Sequence, residues 1–432
     1  MNILLLGSGG REHAFAWSLT KSPKCGRLFI APGNAGTALH GTNVDLSPND
    51  FEAVGQLVKA QQIDMLICGP EEPLVRGIQD YFAADAELSQ VAFVGPSRAA
   101  AQLEGSKAFA KEFMAEFSIP TAGYRSFGQH ELANGIQHID ENPGPYVLKA
   151  DGLAAGKGVV ILEDPEEAKA ELKAMLGGKF GAASEQVVIE QFLSGIEFSV
   201  FAAVDGQDYR LLPVAKDYKR VGEGDTGPNT GGMGSVSHPP FVTATLMQQV
   251  EDEIVRPTIE GLLARDLHLP DGRRQAGFRG FVFFGLINVS GSVYVIEYNV
   301  RMGDPETQSV FPRLKSDLVE LCHRMATGGF TPDYQLEFDS RQAASVVLVS
   351  GGYPGQYEKG KVISGLDQVE DSIVFHAGVK SQGDQLLTNG GRVLAITSYG
   401  DTIGEAVKKS MENAGKVKFE GVNYRRDIGA DL

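Results

Sequence analysis

The chain reads as a multidomain α/β protein, and three observations predict this. Its 432 residues are enough for roughly three domains. The first hundred residues alternate short apolar strands with helical stretches, and the last hundred are strand-rich with one helical segment. In order, "NILLLG", "RLFIAPG", "DMLICGP" and "VAFVGP" are apolar runs closed by glycine or proline, with "REHAFAWSLTKS" and "DFEAVGQLVKAQQ" between them as helices. This predicts a Rossmann-like, doubly wound parallel sheet over residues 1–103. From Ser97 a single long helix, "SRAAAQLEGSKAFAKEFMAEF", leads through "SIPTAGY" into a small β-rich module that ends near "QVVIEQFLSG". Residues 193 to 330 return to longer strands, with an amphipathic helix "TATLMQQVEDEIVRPTIEGLLARD" and a hairpin "RGFVFFGLINVSGSVYVIEYNVR". The closing β-rich domain, 331–432, opens on "ASVVLVSGGYPG" and carries the helix "TIGEAVKKSMENAG". No internal repeat is evident.

Composition narrows the function classes. With 42% apolar and 22% charged residues and no apolar run long enough to span a bilayer, nothing points to a membrane. A net charge of −16 argues against a general nucleic-acid binder, so any anionic ligand must meet local positive charge. Cys25, Cys68 and Cys322 are scattered and odd in number, which fits reduced thiols of the cytoplasm and, more plainly, small buried hydrophobes. "MNILLLGSGG" reads as a first strand rather than a leader. His13, His238 and His323 have no ligand at zinc spacing, and no nucleophile elbow is present, so neither a zinc site nor covalent hydrolase chemistry is supported.

Several stretches carry chemistry. Tyr146–Lys149 and Gly158–Leu162 suit two strands, and "DGLAAGKG" between them offers Gly152, Gly156, Lys157 and Gly158: little bulk, many backbone N–H groups and a cation, as phosphate oxygens require. An ordinary glycine-rich hairpin explains the loop equally well, and the Walker spacing fails by one residue. In "VYVIEYNVR", strand alternation puts Glu297, Asn299 and Arg301 on one face and Ile296, Tyr298 and Val300 on the other. A carboxylate and an amide oxygen suit Mg²⁺, and the arginine suits a carboxylate or a phosphoryl group. The alternative is a solvated edge-strand face, which "MGDPETQ" directly after it makes less attractive. "GSGGREHA" sits at the first strand-to-helix turn, where amides favour an anion, but Glu12 replaces the last glycine of the dinucleotide fingerprint. Taken alone, Lys107 and Lys111 read as exposed helix charges, and Glu190 and Glu197 as parts of a strand, a turn and a strand. "KDYKRVGEGDTGPNTGGMGS", residues 216–235, combines Lys216, Lys219 and Arg220 with glycines, as a mobile lid over an anion would.

In combination and order, "GSGGREHA", "PGNAGT", "GPEEPLVRG", "EGSKAFAK", "KADGLAAGKGV", "DTGPNTGGMG", "RMGDPETQ" and "NGGRVLAITS" resemble the ATP-grasp superfamily and, within it, the phosphoribosylamine–glycine ligase family, over the full length. The resemblance implies an N-terminal domain (1–103), a central ATP-grasp domain (104–122 with 193–330), its lid (123–192) and a C-terminal β-rich domain (331–432). It implies a purine-biosynthesis reaction in which ATP, glycine and 5-phosphoribosylamine give ADP, phosphate and glycinamide ribonucleotide through glycyl phosphate, in a cytoplasmic monomer using Mg²⁺ or Mn²⁺. ATP would be held by Lys107, Lys149 and the loop with Gly152, Gly156, Lys157 and Gly158. Glu190, Phe192 and Leu193 would hold the adenine at a hinge, and Glu197 the ribose. Glu297 and Asn299 would be the metal ligands, and Arg301, Lys149, Lys219 and Asp217 the catalytic set. Gly9, Gly10, Arg11, Asp304 and the run Asn229, Thr230, Gly231, Gly232, Met233, Gly234 would hold the sugar phosphate side.

One departure stands out. ATP-grasp enzymes usually carry another metal-binding carboxylate on the strand before the Glu-x-Asn arm, and "GFVFFGLINV" has none. Competing readings are an ATP-grasp ligase with a different acceptor, a nucleotide-binding regulator without catalysis, and a dehydrogenase. The regulator would show damage at Lys149, Glu297, Asn299 or Arg301, and the dehydrogenase fails its fingerprint.

Overall fold

The computed structural model describes residues 1–153, 158–266 and 277–432. The N-terminal sheet is parallel, in the spatial order Thr42–Asn43, Arg27–Pro32, Asn2–Gly7, Met65–Cys68, Ala92–Val94. Alternation along its first strand sends Leu4 and Leu6 into one core and Ile3 and Leu5 into the other, all fully buried, so both faces are covered. Among the described residues no helix is long and apolar enough to cross a membrane.

The expected long helix from Ser97 is instead two helices, Arg98–Gly105 and Lys107–Glu116. At Ser106 the backbone is extended (φ −139°, ψ 120°) and the hydroxyl caps the second helix by accepting from Phe109 N at 3.1 Å. Gly-Ser is a cap signature that the surrounding alanines obscure. Asp151 accepts from Ala108 N at 2.7 Å, so the break ties this helix start to the loop after Lys149.

The lid is a four-stranded antiparallel sheet, Tyr124–Gly128, Gln186–Gln191, Tyr146–Ala150, Val159–Leu162, with its own core of Phe127, Leu148, Leu172, Met175 and Ile189. The central sheet runs Tyr209–Leu211, Ile196–Asp205, Arg279–Val289, Ser292–Asn299, all antiparallel, and includes the expected hairpin. The amphipathic helix runs from Ala244 to Asp266 through a π-type turn at Glu251–Val255.

The C-terminal sheet has the order Lys216–Asp217, Gly234–Ser237, Gln342–Val349, Arg392–Gly400, Ser372–His376, packed by the helix Ile403–Ala414. The glycine-rich stretch 216–235 is therefore not the free lid its composition suggests. Its two ends are strands of this sheet and its middle is a hairpin, Arg220–Gly222 with Thr226–Asn229.

The N-terminal and C-terminal domains meet over His13, His40 and His376, with ring centroids 5.2 Å (His13–His40) and 5.4 Å (His13–His376) apart. His376 N donates to His13 Nδ1 at 2.7 Å. Burial, reinforced by the other imidazoles, pushes His13 down to about 2, and burial with His40 pushes His376 to about 4. Lys21 adds further positive charge at His40. Both rings are neutral in the fold and become easier to protonate on unfolding. Their contribution is thus complete above about pH 6.5 and is lost as pH falls toward 4. Urea unfolding should show about 2 kcal/mol lost at His376 between pH 7 and pH 5, and His376→Gln should remove that part of the pH dependence.

Candidate active site

Most of the expected residues converge on a cleft of about 760 Å³ bounded by the lid, central and C-terminal sheets and by Arg11 and Glu71 from helices of the N-terminal domain. A second cavity, about 990 Å³, lies elsewhere beside Phe93, Arg279 and His323 and gathers none of them. Chemistry selects the first.

One wall is the second hairpin arm. Val293 and Val295 are core residues, so unbroken alternation from them would have buried Glu297 as well. The register shifts between Gly285, opposite Glu297, and Leu286, opposite Val295, leaving Ile296 as the extra residue of a bulge. Tyr298 and Val300 therefore take the core, and Glu297, Asn299 and Arg301 line the cleft. Ile296, expected to face away, lines it too, and its carbonyl accepts from Lys149 Nζ at 3.2 Å. Arg301 is aimed by its neighbours: Nη2 donates to Glu104 Oε1 at 2.8 Å and Asn299 Oδ1 at 3.1 Å, and Nε lies 3.4 Å from Glu71 Oε2. Burial pushes the Glu104 carboxyl up to about 7, against the pull of Arg301.

The lid contributes a buried triad. Glu190 Oε1 lies 2.9 Å from Lys149 Nζ and its Oε2 3.2 Å from Lys111 Nζ. Lys111 is thus 2% exposed rather than a surface helix charge; it also donates to Thr121 Oγ1 at 2.8 Å. Burial pushes it down to about 8. Glu190 is flanked in the sheet by Tyr124 and Val147, and Phe192 and Leu193 lie just beyond the strand end. Lys107, likewise no free surface charge, donates to Gly152 O at 3.2 Å. Gly158, Phe192, Leu193 and Glu197 line the cleft, whereas Gly156 and Lys157 lie outside the described residues.

The opposite wall is the glycine-rich stretch. Lys219 Nζ is 3.0 Å from Glu197 Oε2 and 3.6 Å from Glu297 Oε1. Burial would lower Lys219, but Glu197, Asp217 and Glu297 hold it well above its ordinary value. Burial raises Glu297, yet Lys219, Lys149, Lys107 and Arg301 hold it below the usual carboxylate range. Asp217 and Glu306 are both pushed up, by burial and by nearby acids, Glu306 to about 8. Asn229, Thr230 and Gly231 line the cleft; Thr230 Oγ1 donates to Lys219 O at 2.8 Å. Gly232, Met233 and Gly234 stand outside it. Met233 is fully buried in core, a Cβ at Gly234 would meet Ser345 O at 2.7 Å, and Gly232 (φ +110°) is pressed against Pro305.

At the N-terminal domain's edge, Arg11 and Asp304 line the cleft, while Gly9 and Gly10 do not. Glu12 Oε2 accepts from Gly9 N at 2.6 Å, and Asp304 Oδ2 from Arg11 N at 3.4 Å. The first helix start, expected to bind an anion, is thus already served by two of the chain's own carboxylates, because Glu12 reaches back to its own cap. Arg392 brings the C-terminal sheet in, donating to Gly231 O and, at 2.6 Å, to Asp304 O. Glu71, Glu104, Glu306, Arg392 and Asp431 are among the cleft residues to which sequence reasoning gave no role, and Lys111 is one it read as a surface charge. Arg392 lies within the quoted "NGGRVLAITS", and a charge near a family motif was the available signal.

Residues 1–104, 105–307 and 343–431 match, in order, the N domain, the ATP-grasp (A) domain and the C domain of phosphoribosylglycinamide synthetase. The phosphoribosylamine–glycine ligase of Vibrio cholerae is 45% identical over 435 aligned positions, covering 99% of this chain and 98% of that protein. This chain belongs to the phosphoribosylamine–glycine ligase family. The crystal structure of the family's Thermotoga maritima ligase superposes with a TM-score of 0.82 at 36% identity, covering 99% of this chain and 100% of that one. A biotin carboxylase domain from Hydrogenobacter thermophilus, solved with MgADP, shares the fold at 15% identity, TM-score 0.72, covering 98% of this chain and 91% of that one. Like other members of this ligase family, the chain is an ATP-grasp, carbon–nitrogen bond-forming enzyme.

Proposed function

We propose that the cleft joins glycine to 5-phosphoribosylamine through glycyl phosphate, giving glycinamide ribonucleotide, ADP and phosphate. The carrying observation is that Glu297, Asn299 and Arg301 line the same cleft as Lys149 and Lys107, in a chain aligned end to end with such ligases. ATP would lie between the lid and central sheets, its base at Phe192 and Leu193, its ribose at Glu197 and its phosphates at Lys107 and Lys149. The divisions 1–103, 104–122 with 193–330, 123–192 and 331–432 would then be working units of one enzyme. The enzyme would act in the cytoplasm as a monomer, as the family resemblance implies.

Glu297 and Asn299 fit a hard divalent ion, a carboxylate oxygen and an amide oxygen two residues apart on one cleft-facing strand. No group of three acids, histidines or cysteines that could hold a metal occurs among the described residues, so phosphate oxygens and water would complete the shell. Bound there, Mg²⁺ or Mn²⁺ would offset charge on the transferring phosphoryl group.

Arg301, aimed by Glu104 and Glu71, would hold the glycine carboxylate in line with the γ-phosphate. Asp217 and Glu306, both pushed up by burial and by nearby acids, would meet the glycine ammonium. A glycine carboxylate oxygen attacks the γ-phosphorus and ADP leaves; the phosphoribosylamine nitrogen then attacks the acyl carbon and phosphate leaves. Such a transfer needs positioning and charge rather than a protein nucleophile. Closure of the lid would keep water from the acyl phosphate. Arg11, Asp304, Arg392 and the Asn229–Gly231 turn surround the space left for the sugar phosphate.

Phosphate release from ATP with glycine plus phosphoribosylamine, against other amino acids and amines, tests the assignment. Release with a different pair only would move the chain to another carboxylate–amine ligase. Lys149→Ala should weaken ATP binding about ten- to a hundredfold in a nucleotide titration, the worth of one charge-assisted hydrogen bond. An unaltered affinity would remove Lys149 from the phosphate site.

A further inference from the structure

The segment from Arg425 to Asp431 packs against the glycine-rich wall, reaches the cleft at Asp431 and has no part in the mechanism above. Asp431 accepts from Tyr218 Oη at 2.7 Å and pairs with Lys216 Nζ at 3.0 Å, while Gly429 N donates to Tyr218 Oη at 2.8 Å. Arg425, 2% exposed, lies 2.6 Å from Asp225 Oδ1 at the hairpin tip and 2.7 Å from Asp427 Oδ2, whose carboxylate accepts from Gly224 N at 2.7 Å. One segment therefore grips both the strand and the hairpin tip.

Lys216 and Tyr218 are interleaved in sequence with Asp217 and Lys219, so holding the first pair tethers the second. Asp217 and Lys219 line the cleft, and so do Lys216 and Asp431. We propose that Asp431 is a positioning residue of the ligase: by gripping Lys216 and Tyr218, it sets Asp217 and Lys219 at the glycine end of the cleft. This rests on the functional reading above. Lys216 is only 7% exposed, and an ammonium so placed needs a counter-charge. Asp217, its neighbour in sequence, already feels the Lys216 charge and is open to pairing with it once Asp431 is gone. A Lys216–Asp217 pairing would take from glycine the carboxylate that should meet its ammonium. Since the Asp431 side chain is 49% exposed, water reaches the Lys216 ammonium from the position it vacates, and its removal should register in substrate binding more than in unfolding.

The test is steady-state ligase kinetics and thermal unfolding of Asp431→Ala in the full chain. Lys361→Ala serves as control, removing an ion pair to Glu358 and Glu420 away from the cleft. Asp431→Ala should raise KM for glycine about tenfold while KM for ATP and the unfolding temperature match the control. Adding Lys216→Met should bring the glycine KM back to within about threefold of wild type, because no stray ammonium remains; a merely structural staple would show no such recovery. An unchanged glycine KM in an active enzyme, or equal shifts in all three substrates together with lowered unfolding temperature, would overturn the proposal. If Asp431→Ala does not fold, Tyr218→Phe decides: a raised glycine KM with unaltered ATP KM supports it, and no rise overturns it. Wild-type enzyme that makes no product from glycine and phosphoribosylamine would instead refute the functional reading, and is measured first.

Discussion

Glu297→Ala should lower kcat about a hundred- to a thousandfold or more and leave the fold intact. The side chain is 42% exposed and faces the cleft, so its loss opens no core cavity. What it removes is the acid on which Lys219, Lys149, Lys107 and Arg301 all act. These four cations would remain facing one another across the cleft, still attractive to a triphosphate, so nucleotide binding in the absence of metal should survive or tighten. The dependence of nucleotide affinity on added Mg²⁺ should largely disappear, and with it product formation. Titration of ATP with and without Mg²⁺, beside a phosphate-release assay and an unfolding curve, separates these effects. Turnover unchanged at saturating Mg²⁺ would take Glu297 out of the site.

The difference between what was legible and what was not follows from the range of the interactions. The parallel N-terminal sheet, the lid hairpin around residues 146–162 and the arm carrying Glu297, Asn299 and Arg301 are each set by local periodicity, and each appears as expected. The bulge at Ile296 is not local: it depends on register with Gly285, and alternation alone could not place it. Lys111 looked like a surface charge because its partner, Glu190, arrives from a strand about eighty residues away in sequence. Similarly, composition made 216–235 look free, whereas strands from the far end of the chain and the Arg425–Asp431 segment hold it. Glu12 was read as a broken fingerprint; in the structure it fills the anion position of its own helix. Charges whose partners are distant in sequence are where the sequence reading fell short.

Glu190→Gln should be the most destabilising single change in the cleft, at about 3–5 kcal/mol, because it leaves two buried ammonium groups without their shared carboxylate. Side-chain exposures are 5% for Glu190, 6% for Lys149 and 2% for Lys111. An amide preserves shape and can accept a hydrogen bond, so the loss is one of charge, not of packing. Lys111 sets the pH dependence. Burial already lowers it to about 8 with the carboxylate present, and without Glu190 it falls further. A lysine depressed in the fold costs stability at low pH and regains it as pH rises, so the deficit of Glu190→Gln relative to wild type should narrow from pH 7 to pH 9. Replacing Lys111 by Met in the same chain should recover part of the loss at pH 7, since an aliphatic chain of similar length needs no counter-ion. Urea unfolding of the single and double variants at both pH values measures this. A deficit that stays constant with pH, and is untouched by Lys111→Met, would mean that Glu190 acts through packing, and that the two lysines do not share its charge.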